Sequence, residues 1–152
     1  MSVPARKTAE TTLRTSARLW GPLLIGVIAV VFSFPAGMAL AIINWQRMGL
    51  VKKAKRHLYA AVIGMYVFVL CLVLLPPSIS QIVFFAVDLI AFFYLRREID
   101  QDTDAYAYAG NEVYPANGFL GVLIGVGIFL VVIIIFIATY LLLESVGLIP
   151  TV

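Results

Sequence analysis

Four long apolar stretches alternate with short polar segments along the chain. A helix needs roughly 20 apolar residues to cross about 30 Å of hydrocarbon, because it rises about 1.5 Å per residue. The pattern predicts an all-α transmembrane bundle with four spans, at about 19–44, 58–75, 79–95 and 118–143. Residues 1–18 are predicted to form a polar, basic N-terminal tail, and residues 19–149 the transmembrane helical domain.

Pro35 divides the first apolar stretch and leaves two topologies open. A single crossing needs only a proline kink, whereas a re-entrant hairpin would leave backbone groups unpaired in hydrocarbon, with Ser33 the only polar residue nearby. Trp20 and Trp45 would lie about 37 Å apart on a straight helix, which suits one tryptophan at each interface. We therefore expect a proline-kinked first helix and four spans. The alternative is a re-entrant first stretch and three spans.

The eleven basic residues fall in three places: the tail, the loop after the first stretch, and Arg96-Arg97. All eleven would share one side if the first stretch turned back, and the positive-inside rule favours that arrangement. With a single crossing, the seven basic residues in the two loops outweigh the four in the tail. The loops at 46–57 and 96–116 are therefore predicted to be cytoplasmic, in a bacterial inner membrane, with both termini outside.

Composition supports an integral membrane protein. Hydrophobic residues make up 62% of the chain and charged residues 12%, about half of the ~25% usual in soluble domains. The mean hydropathy is +1.03. The net charge of +3 is explained by membrane topology, so no nucleic-acid partner is expected. Cys71 is the single cysteine and cannot form an intramolecular disulfide.

Small residues recur at helical spacing on the first and fourth spans. Such ridges let helix backbones approach closely, which is how helices associate in lipid. Packing inside the bundle is favoured over a partner interface. The predicted packing residues are Ser33, Gly37 and Ala41 on the first span, and Gly118, Gly121 and Gly125 on the fourth.

Asp88 is the one ionisable residue deep in a predicted span. Gln81 and Ser78 precede it on the same helical face, so the three should form a polar stripe that faces the bundle interior. No span supplies a Lys or Arg, so desolvation should keep the Asp88 carboxyl protonated and hydrogen-bonded to Ser33, Thr139 or a backbone carbonyl. A structural role between helices is favoured over transport.

Other polar residues give weaker signals. His57 could ligate a pigment or haem, but a lone interfacial histidine is more often simply solvated. The segment "DQDTD" at 100–104 resembles the start of an EF-hand, yet Ala105 stands where Gly is required and Asn111 where Glu is required, which favours a solvated loop. No metal, no cofactor and no catalytic group are predicted, so we do not expect an enzyme.

Four cations follow the first stretch closely. They could attract anionic lipid headgroups at about 1 kcal/mol each, or act only as topology determinants. The second interpretation is favoured. The four are Lys52, Lys53, Lys55 and Arg56.

The segment "FSFPAGMALAIINWQRMGLVKKAKRHLYAAVIG" resembles a family of small bacterial membrane proteins without an established activity. Ala36-Gly37, Asn44-Trp45, Arg47 and Gly49 match the family pattern in spacing, whereas Pro35 is displaced by one position. The resemblance implies four helices and a single first crossing. It implies no activity.

The sequence thus favours a non-catalytic accessory or assembly subunit that packs against a larger membrane complex, for example an electron-transfer or photosynthetic one. Its expected partners are the lipid bilayer and other membrane subunits or further copies of itself. The alternative is a small transporter or ion-conducting oligomer that uses Ser78, Gln81 and Asp88.

Overall fold

The computed structural model describes residues 16–148 and is mostly helical. Three helices are long and apolar enough to cross a membrane, over Val51–Leu74, Ser78–Tyr108 and Gly118–Ser145. The elements in chain order are β1 (Ser16–Leu19), α1 (Pro22–Val31), α2 (Phe34–Arg47), α3 (Val51–Leu74), α4 (Pro77–Tyr108), β2 (Glu112–Pro115) and α5 (Gly118–Ser145).

Helices α3 and α4 are antiparallel and joined by the short turn at residues 75–76. His57 contacts Tyr94 towards one end of this pair, and Phe68 contacts Phe84 towards the other. We call the first the basic end, because every Lys and Arg within residues 16–148 belongs to the segments that meet there. The second is the turn end. Helix α5 starts at the basic end, where its first turn lies beside the start of α1.

The first apolar stretch folds back on itself as two antiparallel helices, α1 and α2. A Cβ added to Gly37 would lie 2.5 Å from the Cβ of Ala29 and 2.9 Å from the carbonyl oxygen of Ile25, so the two backbones touch. Asn44 accepts a hydrogen bond from the Trp20 N–H (3.1 Å) and donates one to the Trp20 carbonyl (2.8 Å). The prediction of a single kinked helix is therefore wrong, and the chain reverses as in the alternative.

Ser33 forms the point of reversal. Its φ of 150° and ψ of 159° lie in a region of backbone conformation that residues other than Gly rarely adopt. Pro35 lies in the first turn of α2, where a missing N–H costs nothing because that donor has no intrahelical partner. The proline therefore begins a second helix and does not kink a continuous one.

Two segments predicted as loops are largely helical. Helix α4 continues to Tyr108, so most of 96–116 extends the second of the three long helices beyond its apolar part. The acidic segment at 100–104 lies inside this helix, which contradicts its prediction as a loop. Helix α3 begins at Val51 and takes in most of the predicted basic loop at 46–57.

A short parallel pairing joins the start of the described chain to the segment before α5. Ser16 lies opposite Glu112 and Leu19 opposite Pro115. The predicted tail thus ends in a strand, and its first fifteen residues lie outside the described range. In β2, Tyr114 donates a hydrogen bond to Glu112 (2.7 Å), which raises the pKa of the Tyr114 hydroxyl.

The buried core lies towards the basic end and is built around the α1–α2 hairpin. Ile25, Ile28, Leu40 and Trp45 are almost fully buried there. Only 17% to 22% of the most apolar window of each membrane-length helix is buried. On α5 no described residue after Val132 is buried. The long helices therefore leave most of their apolar surface free to contact lipid or other helices.

Replacing Gly37 with Ala should lower the free energy of unfolding by about 1–3 kcal/mol, because an added methyl group would force α1 and α2 apart. Gly127→Ala is the matched control, since its Cβ would meet nothing within 4 Å. That variant should be neutral or slightly stabilised by its higher helix propensity. Thermal unfolding in a mild detergent measures both variants. Equal stability would contradict the close contact between the two helices.

Candidate functional site

One polar cluster lies at the reversal between α1 and α2. Asp88 of α4 is 1% exposed, and its Oδ1 accepts a hydrogen bond from the Phe34 N–H at 2.8 Å. This N–H belongs to the first turn of α2, where backbone donors have no partner inside the helix. The carboxyl group of one helix therefore caps the start of another.

Asp88 thus binds a backbone amide instead of the predicted Ser33, Thr139 or carbonyl partner. Thr139 donates to the Ile135 carbonyl of its own helix, at 2.8 Å. The Ser33 hydroxyl and the second carboxyl oxygen of Asp88 are both buried and have no hydrogen-bond partner among the described residues. Residues 16–148 therefore leave two polar atoms at the reversal unsatisfied.

The predicted polar stripe does not form a continuous interior path. Ser78 and Gln81 are exposed on the surface of α4, whereas Asp88 is buried. The physical reason is the length of the hairpin: α2 begins at Phe34, whose N–H lies beside Asp88, so the hairpin does not cover the turn of α4 that carries Ser78 and Gln81. The prediction that the three residues face the bundle interior together is wrong for Ser78 and Gln81.

A second polar cluster joins α2, α3 and α4 at the basic end. Lys53 forms ion pairs with Glu98 and with Asp102, the latter at 2.6 Å. Trp45 also donates its indole N–H to Asp102 at 2.6 Å. Lys53 lies 5.1 Å from the centre of the Trp45 ring, which adds a cation–π contact. The spacing of Glu98 and Asp102 puts both carboxylates on one face of α4, towards α3.

His57 belongs to the same cluster and is only 6% exposed. Its Nδ1 lies 2.9 Å from the Lys53 carbonyl, which can only accept, so Nδ1 carries the hydrogen. In the neutral ring Nε2 then accepts from the Tyr94 hydroxyl at 2.9 Å. The ring also packs against Trp45, with 4.4 Å between centroids. Both nitrogens are occupied, so a pigment or haem would have to displace Tyr94.

Trp20 anchors the hairpin to the rest of the bundle. Its backbone is held by Asn44, and its indole N–H donates to the Asn117 carbonyl at 2.9 Å, just before α5. Arg47 stacks over the Trp20 ring at 4.5 Å and donates to the Arg18 carbonyl at 2.7 Å. Both ends of the first apolar stretch therefore lie together at the basic end.

The predicted packing residues lie at contacts inside the chain. A Cβ on Gly121 would meet the Trp20 indole at 2.9 Å, and one on Gly125 would meet Ile28 at 3.0 Å. Gly118 is looser, with Leu24 at 3.8 Å. Gly37 contacts α1, and Ser33 and Ala41 are buried. The close approach of α1 to α4 at Gly26, whose Cβ would meet Phe92 at 2.8 Å, was not predicted.

The four cations considered as contacts for lipid headgroups do not share one environment. Lys53 is committed to Glu98 and Asp102. Lys52, Lys55 and Arg56 are exposed and form no ion pair within residues 16–148. Only these three remain free to contact a headgroup.

Within residues 16–148, no group of three His, Cys, Asp or Glu side chains could hold a metal ion. The polar groups of both clusters instead join one helix to another.

Comparison with known proteins found no family model, curated protein or solved structure that matches this chain. The resemblance to a bacterial membrane family stays a prediction, and the single first crossing that it implied is contradicted by the α1–α2 hairpin. Function therefore has to be inferred from the geometry of the chain itself.

Asp88→Leu should lower the free energy of unfolding by about 1–3 kcal/mol, because the half-buried Phe34 N–H would lose its acceptor. Asp88→Asn has a side chain of the same shape and keeps a carbonyl oxygen that can accept from Phe34. Its free energy of unfolding should therefore fall much less. Thermal unfolding of both variants in the same detergent measures the difference. Equal losses from both substitutions would show that the hydrogen bond to Phe34 contributes nothing.

Proposed function

We propose that this chain is a non-catalytic integral membrane protein that packs against a larger membrane complex as an accessory or assembly subunit. The observation that carries the proposal is how little of the three long helices is buried, 17% to 22% of their most apolar windows. Lipid can cover such surfaces, but so can the helices of another subunit, and three helices present them in several directions.

The way the buried and half-buried polar groups are used supports the same proposal. Asn44, Asp88 and Asp102 each bind a group on a neighbouring element, and so hold the fold together. A transporter or conducting oligomer would need polar groups along a path across the membrane. Exposed Ser78 and Gln81 give that alternative less support than the interior stripe expected from the sequence.

The proposed topology has three spans, α3, α4 and α5, with the α1–α2 hairpin re-entrant from the basic end. Helix α1, with ten residues, is about 15 Å long and reaches only half of the ~30 Å hydrocarbon layer. The positive-inside rule places the basic end in the cytoplasm. The start of the described chain is then cytoplasmic and the end of α5 is outside, in a membrane that we propose to be a bacterial inner membrane.

Cysteine labelling tests this topology in a Cys71→Ser background. Ser16→Cys and Gln46→Cys should react with a membrane-impermeant maleimide from the same side, because both flank the re-entrant hairpin. Ser145→Cys should react only from the opposite side. Labelling of positions 16 and 46 from opposite sides would restore the single crossing and overturn the re-entrant topology.

The subunit proposal is tested by purifying the full chain from its native membranes in a mild detergent and measuring the particle mass by light scattering. We expect a particle far heavier than the 16.7 kDa chain, with other proteins identified in it by mass spectrometry. The matched control is the same chain purified after complete exchange into a harsh detergent, which should separate it from the other proteins of the complex. A particle that contains this chain alone would contradict the proposal.

A further inference from the structure

An apolar groove runs along the outer surface between α2, α3 and α5. It has a volume of about 290 Å³ and is lined almost entirely by apolar atoms. Pro35 and Ile43 mark its two ends on α2, Leu58 and Met65 line it on α3, and Val131 lines it on α5. The volume lies near the lower limit of the roughly 300–1,000 Å³ found for small-molecule sites.

The depth of the groove corresponds to one leaflet of a bilayer. From Pro35 at the reversal to Ile43 near the basic end, α2 rises about 12 Å. One leaflet contributes about 15 Å of hydrocarbon, half of the ~30 Å layer. The groove therefore extends from close to the interface at the basic end to the middle of the membrane.

A free cation lies just beyond the interfacial end of the groove. Lys55 precedes Leu58 by three residues and Val62 by seven, so all three occupy one face of α3. Lys55 is exposed and forms no ion pair with any residue in the described range. Arg56 is also exposed, but it lies about 100° further around the helix, away from the groove.

We propose that this groove binds one anionic phospholipid from the leaflet at the basic end. One acyl chain occupies the groove between α2, α3 and α5, and Lys55 contacts the phosphate group. The single-leaflet depth favours an acyl chain over a partner helix, because a transmembrane helix would need a groove that continues past Pro35 towards the turn end. The inference goes beyond the subunit proposal and requires only that the chain lies in a membrane with its basic end at one interface.

Native mass spectrometry of the full chain, purified in a mild detergent, tests the charged contact. The detergent solution contains equal amounts of palmitoyl-oleoyl phosphatidylglycerol and palmitoyl-oleoyl phosphatidylcholine. We expect one phosphatidylglycerol retained per chain in preference to phosphatidylcholine. Lys55→Ala should lower that retention about fivefold, the factor expected for one cation at an anionic lipid surface. Arg56→Ala, the matched control, should leave it unchanged.

A second pair of variants tests the acyl-chain contact. Ala61 lines the groove, whereas Ala60 is exposed on another face of the same helix. Ala61→Phe should fill the groove and abolish preferential retention, while Ala60→Phe should keep it. If Ala61→Phe does not give a monodisperse protein, the comparison of Lys55→Ala with Arg56→Ala tests the proposal alone.

Three results would overturn the proposal. The first is equal retention of the two lipids by the unaltered chain, and the second is equal loss for Lys55→Ala and Arg56→Ala. The third is an Ala61→Phe variant that keeps its lipid but loses another protein from the native complex, which would assign the groove to a partner helix. The subunit proposal would survive all three results, so the two proposals fail separately.

Discussion

The reversal of the chain at Ser33 depends on side chains that bind backbone groups of another segment. A backbone N–H or C=O left unpaired in hydrocarbon costs several kcal/mol, so a hairpin can end inside a membrane only where protein supplies partners. Asp88 supplies an acceptor at the start of α2. Just before α1, Asn44 accepts a hydrogen bond from the Trp20 N–H and donates one to the Trp20 carbonyl. The paired helices then approach closely because Gly37 has no side chain.

The hairpin determines where the rest of the core lies. It packs against α4 through Gly26 and against α5 through Gly121 and Gly125, positions where a Cβ would meet a neighbouring side chain at about 3 Å or less. Since α1 and α2 end at the level of Asp88, they leave the turn-end halves of the long helices uncovered. The same short hairpin therefore explains both the buried core at the basic end and the apolar surface at the other.

The three membrane-length helices could be predicted from hydropathy because each contains a continuous apolar run. The reversal could not be predicted by considering the residues near Pro35 alone, because its acceptor, Asp88, is 54 residues further along the chain. The distribution of basic residues did favour the hairpin. Trp20 and Trp45 instead suggested opposite interfaces, although both tryptophans lie at the basic end. The helical continuation of α4 was missed because its acidic residues were interpreted as a solvated loop.

The two polar clusters contribute to the fold in different ways. At the basic end, Lys53, Asp102 and Trp45 join three helices where water is near, so exchange of their hydrogen bonds with solvent limits the net gain from each. In the proposed re-entrant topology the reversal lies in hydrocarbon, where an unpaired backbone donor would be far more costly. Asp88, the one fully buried carboxyl group among residues 16–148, therefore constrains the fold more strongly than the larger charged cluster. Its position also sets how deep the hairpin can reach, and hence how much of α3, α4 and α5 is left for lipid or for other subunits.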